Sequence, residues 1–426
     1  MQPLGNAFSP GFQTRISPPM YRETSIIAIL LAALLLLLQG CATLDRLSAV
    51  PVKDTTRATV PGIPNARFWV DADLNPLIRE DLTEFEREEV EWTREGHRGL
   101  LPPANYLAIS GGGDNGAFGA GLLVGWTQAG DRPTFKLVTG ISTGALIAPF
   151  AFLGPEYDDT LRAVYTQVTP QDIATPRGLL AALTSDAIAD NHPLFTLISK
   201  YFTQDLLARI AQEHRKGRLL FIGTTNLDAR RPVVWNMGAI AEAAANHPQA
   251  LELFRRILLA SAAIPGEFPP VMFDVEVDGQ PYQEMHVDGG AMRQVFLYPA
   301  NLSDTARQEG REVFAQRVRK AYVIRNARLD PDWATVERST LTIVGHAISA
   351  LIQTQGIGDL YRLYLLAQKD GLDFNLAYIG ADFTTEHQED FDPAYMRALF
   401  DYGYQLGRKS YPWQKTPPGL TATRSP

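Results

Sequence analysis

The fold is decided by residues 135–153, which read FKLVTGISTGALIAPFAFL. The first five residues form an apolar run typical of a short buried strand, and the last nine predict an apolar helix. Between them, residues 140–144 have the form Gly-x-Ser-x-Gly. At a strand-to-helix turn this pattern is typical of a nucleophile elbow, in which Gly140 and Gly144 leave room for a strained turn and the Ser142 hydroxyl is exposed at the sheet's edge. A structural turn with an idle serine is the alternative interpretation.

Strand and helix patterns alternate on both sides of this turn. The further predicted strands are residues 106–110 (YLAIS), 219–224 (LLFIGT) and 321–324 (AYVI). The further predicted helices are residues 117–128, 340–368 and 392–408. Such alternation implies an α/β fold with a mostly parallel central sheet covered by helices on both faces.

A glycine-rich turn follows the predicted strand at residues 106–110. Residues 111–116 read GGGDNG. Glycines let the backbone approach an anionic centre, and free amides at a helix start point toward it. That centre is either a phosphate, since the pattern fits G-x-G-x-x-G with Asp131 near the spacing of a ribose ligand, or the oxyanion of an acyl-transfer intermediate. The motif alone does not choose between these uses, and a purely steric turn is a third.

A third motif lies well downstream, where residues 286–290 read HVDGG after a hairpin-like stretch containing Asp278-Gly279. An Asp followed by two glycines is often only a turn. Its place after the two other motifs favours a functional role for Asp288, Gly289 and Gly290.

The ordered set of three motifs resembles the patatin-like phospholipase family. Two further pairs of segments agree with it: residues 225–228 (TNLD) with 233–235 (VVW), and 260–265 (ASAAIP) with 268–270 (FPP). The resemblance covers roughly residues 106–298.

The resemblance implies a patatin-like three-layer fold and hydrolysis of lipid acyl esters by a Ser–Asp dyad, with no metal or organic cofactor. Ser142 corresponds to the nucleophile and Asp288 to the general base. The corresponding oxyanion hole is formed by backbone amides of Gly111, Gly112, Gly113 and Gly116. Where the family often carries Arg or Lys, this chain has Asn115, so its activity or substrate range is expected to differ.

An ordinary α/β-hydrolase with a Ser-His-Asp triad is the nearest alternative, and it needs a histidine late in the chain. His346 is expected to pack within a helix, and His387 to lie in a solvated loop. His192 and His286 are further candidates, and His286 shares a strand face with Asp288, so that it could tune that carboxylate. The remaining histidines lie in polar contexts that predict surface positions: His97, His214 and His247.

Composition narrows the class of protein. The chain has 426 residues, a net charge of -8 and one cysteine. The negative charge gives no reason to expect a nucleic-acid partner. A single cysteine excludes an internal disulfide and thiolate metal clusters. A non-catalytic lipoprotein that binds lipid or protein is the alternative from a different class.

The N-terminal region predicts export and lipidation. Residues 26–38 are 13 uncharged apolar residues, which suits a signal peptide better than a spanning helix. Residues 38–41 (LQGC) then resemble a lipobox, which implies a signal peptide at residues 1–40 and lipidation of Cys41. Because Ala42 rather than Asp follows Cys41, the outer membrane is favoured if the source is Gram-negative.

Four regions are therefore expected. The signal peptide is followed by a tether and N-terminal helical segment at residues 41–100, in which residues 42–66 form an extended tether and residues 71–95 a solvated amphipathic helix. The catalytic domain spans residues 101–330, and residues 331–426 supply helices packed on the same domain.

Overall fold

The computed structural model describes residues 45–72, 74–178, 185–299, 302–308, 317–330, 335–386 and 388–420. The predicted signal peptide, Cys41 and His387 lie outside these residues. Arg46–Pro426 forms a single compact unit. In the described part of the chain, no helix has both the length and the apolar character to cross a bilayer.

A nine-stranded sheet forms the centre of the described fold, beside a small ribbon of β4 and β5. The strands in chain order are β1 (Arg67–Trp69), β2 (Ala104–Ile109), β3 (Leu137–Gly140), β4 (Thr175–Pro176), β5 (Ala189–Asp190), β6 (Leu219–Asn226), β7 (Arg231–Asn236), β8 (Val271–Val277), β9 (Gln280–Asp288), β10 (Arg319–Arg328) and β11 (Asp373–Ile379).

The main sheet has the order β1-β7-β6-β3-β2-β10-β11, and its five strands from β6 to β11 are parallel to one another. β7 and β1 extend the sheet beyond β6 in antiparallel pairs. β8 and β9 form the predicted hairpin, whose turn residues Asp278 and Gly279 have φ values of 51° and 76°. Positive φ at both positions is typical of a type I′ turn.

Helices cover both faces of the sheet. They are α1 (Asn75–Arg94), α2 (Gly116–Ala129), α3 (Thr143–Leu153), α4 (Asp158–Thr166), α5 (Pro170–Ile173), α6 (His192–Tyr201), α7 (Gln204–Arg215), α8 (Met237–Ala243), α9 (Ala250–Ser261), α10 (Leu302–Gln308), α11 (Thr340–Asp370) and α12 (Pro393–Gly407). Successive strand residues belong to opposite cores, since Leu107 and Ile109 pack in one cluster and Ala108 in the other. The predicted three-layer α/β fold with a mostly parallel central sheet is confirmed.

The different lengths of β3 and β6 determine where Ser142 and Asp288 lie at the edge of the sheet. β3 ends at Gly140, opposite Ile222 of β6. β9 pairs with the remaining residues of β6 and ends with Asp288 opposite Thr224. Because β7 occupies the other side of β6, the ends of β3 and β9 meet along one side of that strand.

Close helix packing joins α12 to α2. A Cβ atom on Gly121 or Gly125 of α2 would overlap backbone of α12, and one on Gly403 or Gly407 of α12 would overlap backbone of α2. The two helices therefore approach each other through glycines.

Two expectations for the N-terminal region were wrong. Residues 46–66 are not a free tether: Ala58 and Ile63 are buried, and Arg46 pairs with Asp228 at 2.7 Å. α1 forms where a solvated helix was predicted, but Glu80 and Glu84 on it are buried. Charge pattern misled here because these carboxylates face polar partners on other helices.

Candidate active site

Ser142 lies in a strained turn between β3 and α3. Its φ of 55° and ψ of -126° are uncommon for a residue with a side chain, and such strain is concentrated at functional sites. A Cβ atom on Gly140 would overlap Gly144, and one on Gly144 would overlap the Ile109 carbonyl oxygen. Both motif glycines therefore clear the space that the predicted elbow needs.

The strained turn is held by Ser261, at the end of α9. The Ser261 hydroxyl accepts a hydrogen bond from the Ser142 N–H at 3.0 Å and donates one to the Gly223 carbonyl oxygen at 2.7 Å. Ser261 is fully buried. Sequence reasoning assigned it no role, although it lies in the ASAAIP segment quoted for the family resemblance.

The Asp288 carboxylate lies beside the Ser142 side chain. It accepts a hydrogen bond from the Gly290 N–H at 2.6 Å, which fixes the turn after β9. Burial raises the pKa of Asp288 to about 7, although the Ser142 side chain and the Gly290 N–H act in the opposite direction. A Cβ atom on Gly289 would lie 2.6 Å from the Gly223 carbonyl oxygen, and one on Gly290 would lie 2.9 Å from Asp288. The structure thus brings together the two residues expected to form the dyad.

The glycine-rich turn offers two free amides beside this pair. The Gly111 N–H donates to the Gln294 carbonyl oxygen at 3.1 Å, and the Gly116 N–H bonds within its own turn. Within the described part of the chain, the N–H groups of Gly112 and Gly113 have no acceptor. Gly111 is nevertheless adjacent to the nucleophile, since a Cβ atom there would lie 3.1 Å from the Ser142 Cβ. Of the four amides predicted to form an oxyanion hole, those of Gly111 and Gly116 thus have protein acceptors, and those of Gly112 and Gly113 have none among the described residues.

Asn326, on β10, holds the glycine-rich turn in place. Its N–H donates to the Ser110 hydroxyl at 2.8 Å, and its side-chain amide donates to the Ser110 carbonyl oxygen at 2.9 Å. Its side-chain oxygen accepts from the Gly119 N–H at 3.0 Å. These contacts join residues more than 200 positions apart, so no local pattern could predict them.

The site carries negative charge and a fixed Asn115. Burial, together with the charges of Asp390 and Asp288, raises the pKa of Glu267 to about 7. The Asn115 side-chain oxygen accepts a hydrogen bond from the Tyr395 hydroxyl at 2.5 Å. Asn115 is therefore held by α12, where the family often carries a cation.

The candidate histidines lie away from the dyad. His286 is buried, but its ring nitrogens face Thr224 at 2.8 Å and Glu284 at 3.1 Å. His346 is exposed on α11, so its predicted packing role was wrong, and His192 is exposed at the start of α6. Among the described residues, no histidine is hydrogen-bonded to Ser142 or Asp288. The triad alternative therefore lacks its base among these residues.

One family of known proteins matches part of this chain. Residues 107–301 match the model of the family described as patatin-like phospholipase. No curated protein matches the chain significantly.

Three solved structures share a distant likeness. VipD from Legionella pneumophila is 12% identical, with 73% of this chain and 67% of that chain covered and a TM-score of 0.30. Human GIVD cytosolic phospholipase A2 is 10% identical, with 82% and 65% covered and a TM-score of 0.31. The type III effector protein ExoU is 17% identical, with 72% and 54% covered and a TM-score of 0.18. These likenesses are too low for any residue role to be carried over from them.

Proposed function

We propose that this chain, which carries a patatin-like phospholipase domain at residues 107–301, hydrolyses acyl esters of lipids with Ser142 as nucleophile and Asp288 as general base. The family supports a lipid acyl hydrolase. The observation that carries the finer proposal is that the buried Asp288 carboxylate lies beside the side chain of Ser142, a residue with a strained positive φ.

The proposed reaction needs only groups of this chain, the lipid and water. Ionised Asp288 accepts the Ser142 proton as the oxygen attacks the ester carbonyl carbon, and the oxyanion is stabilised by the Gly112 and Gly113 amides. The tetrahedral intermediate collapses to an acyl-enzyme, and the alcohol leaves with the proton from Asp288. Water then attacks the acyl-enzyme with Asp288 again as base, which releases the fatty acid and restores Ser142.

The surface of α11 supports a lipid substrate. Residues 339–358 contain no Asp, Glu, Lys or Arg. Ile343, Val344 and Leu351 on this segment are 51%, 50% and 70% exposed. The segment ends next to the site, because a Cβ atom on Gly356 would lie 3.3 Å from the Cβ of Gln294, whose carbonyl oxygen holds Gly111. An exposed apolar surface rimmed by polar residues is typical of an interaction site.

Residues 38–41, which resemble a lipobox, support a second part of the proposal, that the protein is anchored to a membrane. Acylated Cys41 would hold the enzyme at a membrane of the bacterial cell envelope, the outer membrane in a Gram-negative cell, because two or more acyl chains give stable anchoring. Metabolic labelling with a palmitate analogue tests this: Cys41→Ser should abolish the label and release the protein from the membrane fraction. A label that survives this substitution would exclude Cys41 as the lipidated residue.

The enzymatic proposal is tested with a short-chain p-nitrophenyl ester and with phospholipid vesicles. Ser142→Ala and Asp288→Asn should each abolish turnover of both substrates, while circular dichroism shows an intact fold. Ser48→Ala and Asp159→Asn, at exposed positions outside α11, are the matched controls and should keep wild-type rates. A serine-directed phosphonate probe should label the wild-type protein and both control variants. It should label neither Ser142→Ala nor Asp288→Asn. If the wild-type protein neither turns over the esters nor reacts with the probe, the alternative of a non-catalytic lipoprotein that binds lipid or protein is favoured.

A further inference from the structure

A buried group of acidic side chains and a histidine lies on helices outside the dyad. α1 contributes Glu80 and Glu84, α7 contributes His214, and all three side chains are at most 7% exposed. One ligand atom from each of the three lies within 4.8 Å of the others. Sequence reasoning placed His214 at the surface without a role, and that prediction was wrong.

The spacing on α1 explains why both carboxylates reach the same point. Residues four apart lie on the same face of a helix, one turn above the other. The His214 Nε2 atom is 3.4 Å from the Glu84 Oε1 atom and 3.8 Å from the Glu80 Oε1 atom. Glu242 of α8 approaches the same nitrogen at 3.9 Å from a half-exposed position. Three helices therefore direct acceptor atoms at one small volume.

The orientation of His214 favours a ligand at Nε2. Its Nδ1 atom faces the Arg218 carbonyl oxygen at 3.3 Å, a contact that requires the proton on Nδ1. A Cβ atom on Gly238 would overlap the ring, so Gly238 keeps it in this position. Metal-binding histidines commonly donate their second ring N–H to a backbone carbonyl in this way.

One carboxylate oxygen of Glu84 has no hydrogen-bond donor. Glu84 is fully buried, and its Oε2 atom makes no hydrogen bond, while Oε1 pairs with Arg87 at 2.6 Å. Glu80 is in contrast held by Asn236 at 2.8 Å and Asn65 at 3.2 Å. A buried carboxylate oxygen without a donor is costly, so it points to a bound cation or to a shared proton.

We propose that Glu80, Glu84 and His214 bind a divalent transition-metal cation, most suitably Zn²⁺, with Glu242 or water as a fourth ligand. One imidazole and two carboxylates suit such a cation better than Mg²⁺ or Ca²⁺, which prefer all-oxygen sites. Bonds of about 2.0–2.1 Å in a tetrahedron place ligand atoms about 3.3 Å apart. The His214 Nε2 atom already lies 3.4 Å from Glu84 and 3.8 Å from Glu80, so these two distances are close to the required one. The cation would link α1 to α7 and α8. This role would be structural and would not involve Ser142 or Asp288.

The test uses the full chain without a histidine tag, stripped with EDTA and then dialysed against Zn²⁺. Wild-type protein should retain about one equivalent of zinc by elemental analysis and unfold about 3–5 °C higher than in EDTA when zinc is a hundredfold above its Kd. Mg²⁺ should give no rise. Glu84→Gln and His214→Gln should retain no zinc and show no rise. Glu86→Gln on the exposed face of α1 and the exposed His192→Gln are matched controls and should behave as wild type.

Three results would overturn the site: wild-type protein that retains no zinc, wild-type protein whose unfolding temperature is the same in zinc and EDTA, or a rise that persists in Glu84→Gln. Glu84→Gln should fold in EDTA, since glutamine keeps the volume of the buried side chain. Co²⁺ absorption of wild-type protein checks the ligands without any variant, because it reports tetrahedral nitrogen and oxygen coordination, and a spectrum of the octahedral aqueous ion would contradict the proposal.

Discussion

The buried Asp288 explains how one carboxylate can serve as base near neutral pH. A general base works best when its pKa lies near the operating pH. Burial brings the pKa of Asp288 to about 7, and the Gly290 N–H holds its carboxylate beside the Ser142 side chain. The same burial that prepares the base also makes its charge unfavourable for the folded state.

A pH-rate profile should therefore show an acidic limb controlled by Asp288. Activity on a soluble ester should rise with pH through about 7, because only the ionised carboxylate accepts the Ser142 proton. His192→Gln and His346→Gln should leave this limb unchanged, since both histidines are exposed. A limb that disappears in His346→Gln would instead support the triad alternative.

The stability of Asp288→Asn should depend on pH in a defined direction. The folded-state pKa of Asp288 lies above its unfolded value, so wild-type protein loses stability as pH rises from about 4 to about 7 and no more above that. A shift of about three units corresponds to about 4 kcal/mol, which is the upper bound for the gain in Asp288→Asn at pH 8. Urea unfolding at pH 4 and pH 8 should show a small gain at the lower pH and a larger one at the higher. An equal gain at both values would mean that Asp288 ionises normally.

Ser261 should act as a positioning residue for the elbow. Ser261→Ala leaves the Ser142 N–H and the Gly223 carbonyl oxygen without their shared partner, so the free energy of unfolding should fall by about 1–3 kcal/mol. kcat should fall by about tenfold to a hundredfold, with KM unchanged, since small misplacements of a nucleophile are costly. Ser199→Ala, in half-buried surroundings on α6, is the control for loss of a hydroxyl group. A variant with normal kcat but lower stability would limit Ser261 to a structural role.

Residues that lie in short sequence motifs were predictable, whereas residues whose partners come from distant segments were not. Ser142 and Asp288 lie in short motifs with a fixed strand context. Ser261, Asn326 and His214 depend on partners from distant segments, so their surroundings in sequence carry no signal. His214 in particular lies in a charged stretch that is typical of a surface helix.

At the scale of elements, glycines at close contacts determine how the strands and helices meet around the site. The buried strands were predictable because their apolar runs match the strand period, and α11 and α12 because of their helical period. The packing of residues 46–66 was not, since polar, proline-containing sequence can either remain extended or bind a surface. It binds here through scattered contacts, such as the ion pair of Arg57 with Asp278 at 2.7 Å.

Two glycine-to-alanine substitutions should have opposite effects. Gly144→Ala puts a methyl group against the Ile109 carbonyl oxygen, so it should displace α3 from β2 and lower the free energy of unfolding by about 1–3 kcal/mol or more. Gly345→Ala, in the exposed part of α11 with open space around it, should raise it by about 0.5–1 kcal/mol. Urea denaturation of both variants measures the contrast. A tolerated Gly144→Ala would show that the elbow is less tightly packed than its contacts indicate.

At the scale of the whole molecule, the active site and the uncharged half of α11 lie side by side. Gln294 connects them: its N–H donates to Asp359 of α11 at 2.8 Å, and its carbonyl oxygen accepts from the Gly111 N–H. Glu267 lies near both Asp288 and Asp390, and the chain as a whole has a net charge of -8. Contact with a lipid surface should therefore depend on apolar side chains and not on electrostatic attraction.

Charged substitutions on the exposed apolar surface of α11 should therefore lower activity on phospholipid vesicles but not on a soluble ester. The test combines Ile343→Asp and Leu351→Asp in a Cys41→Ser background, which removes the proposed anchor. This variant should lower turnover of phospholipid vesicles at least about tenfold. Each apolar side chain that is lost removes about 1.5–3 kcal/mol of favourable burial in the lipid. Turnover of the soluble p-nitrophenyl ester should stay unchanged, since neither position contacts the dyad. Val52→Asp, at a 92% exposed position, is the control for added charge and should keep vesicle turnover. Equal loss on both substrates would indicate damage to the active site, and no loss on either would place the lipid-facing surface elsewhere while leaving the dyad proposal intact.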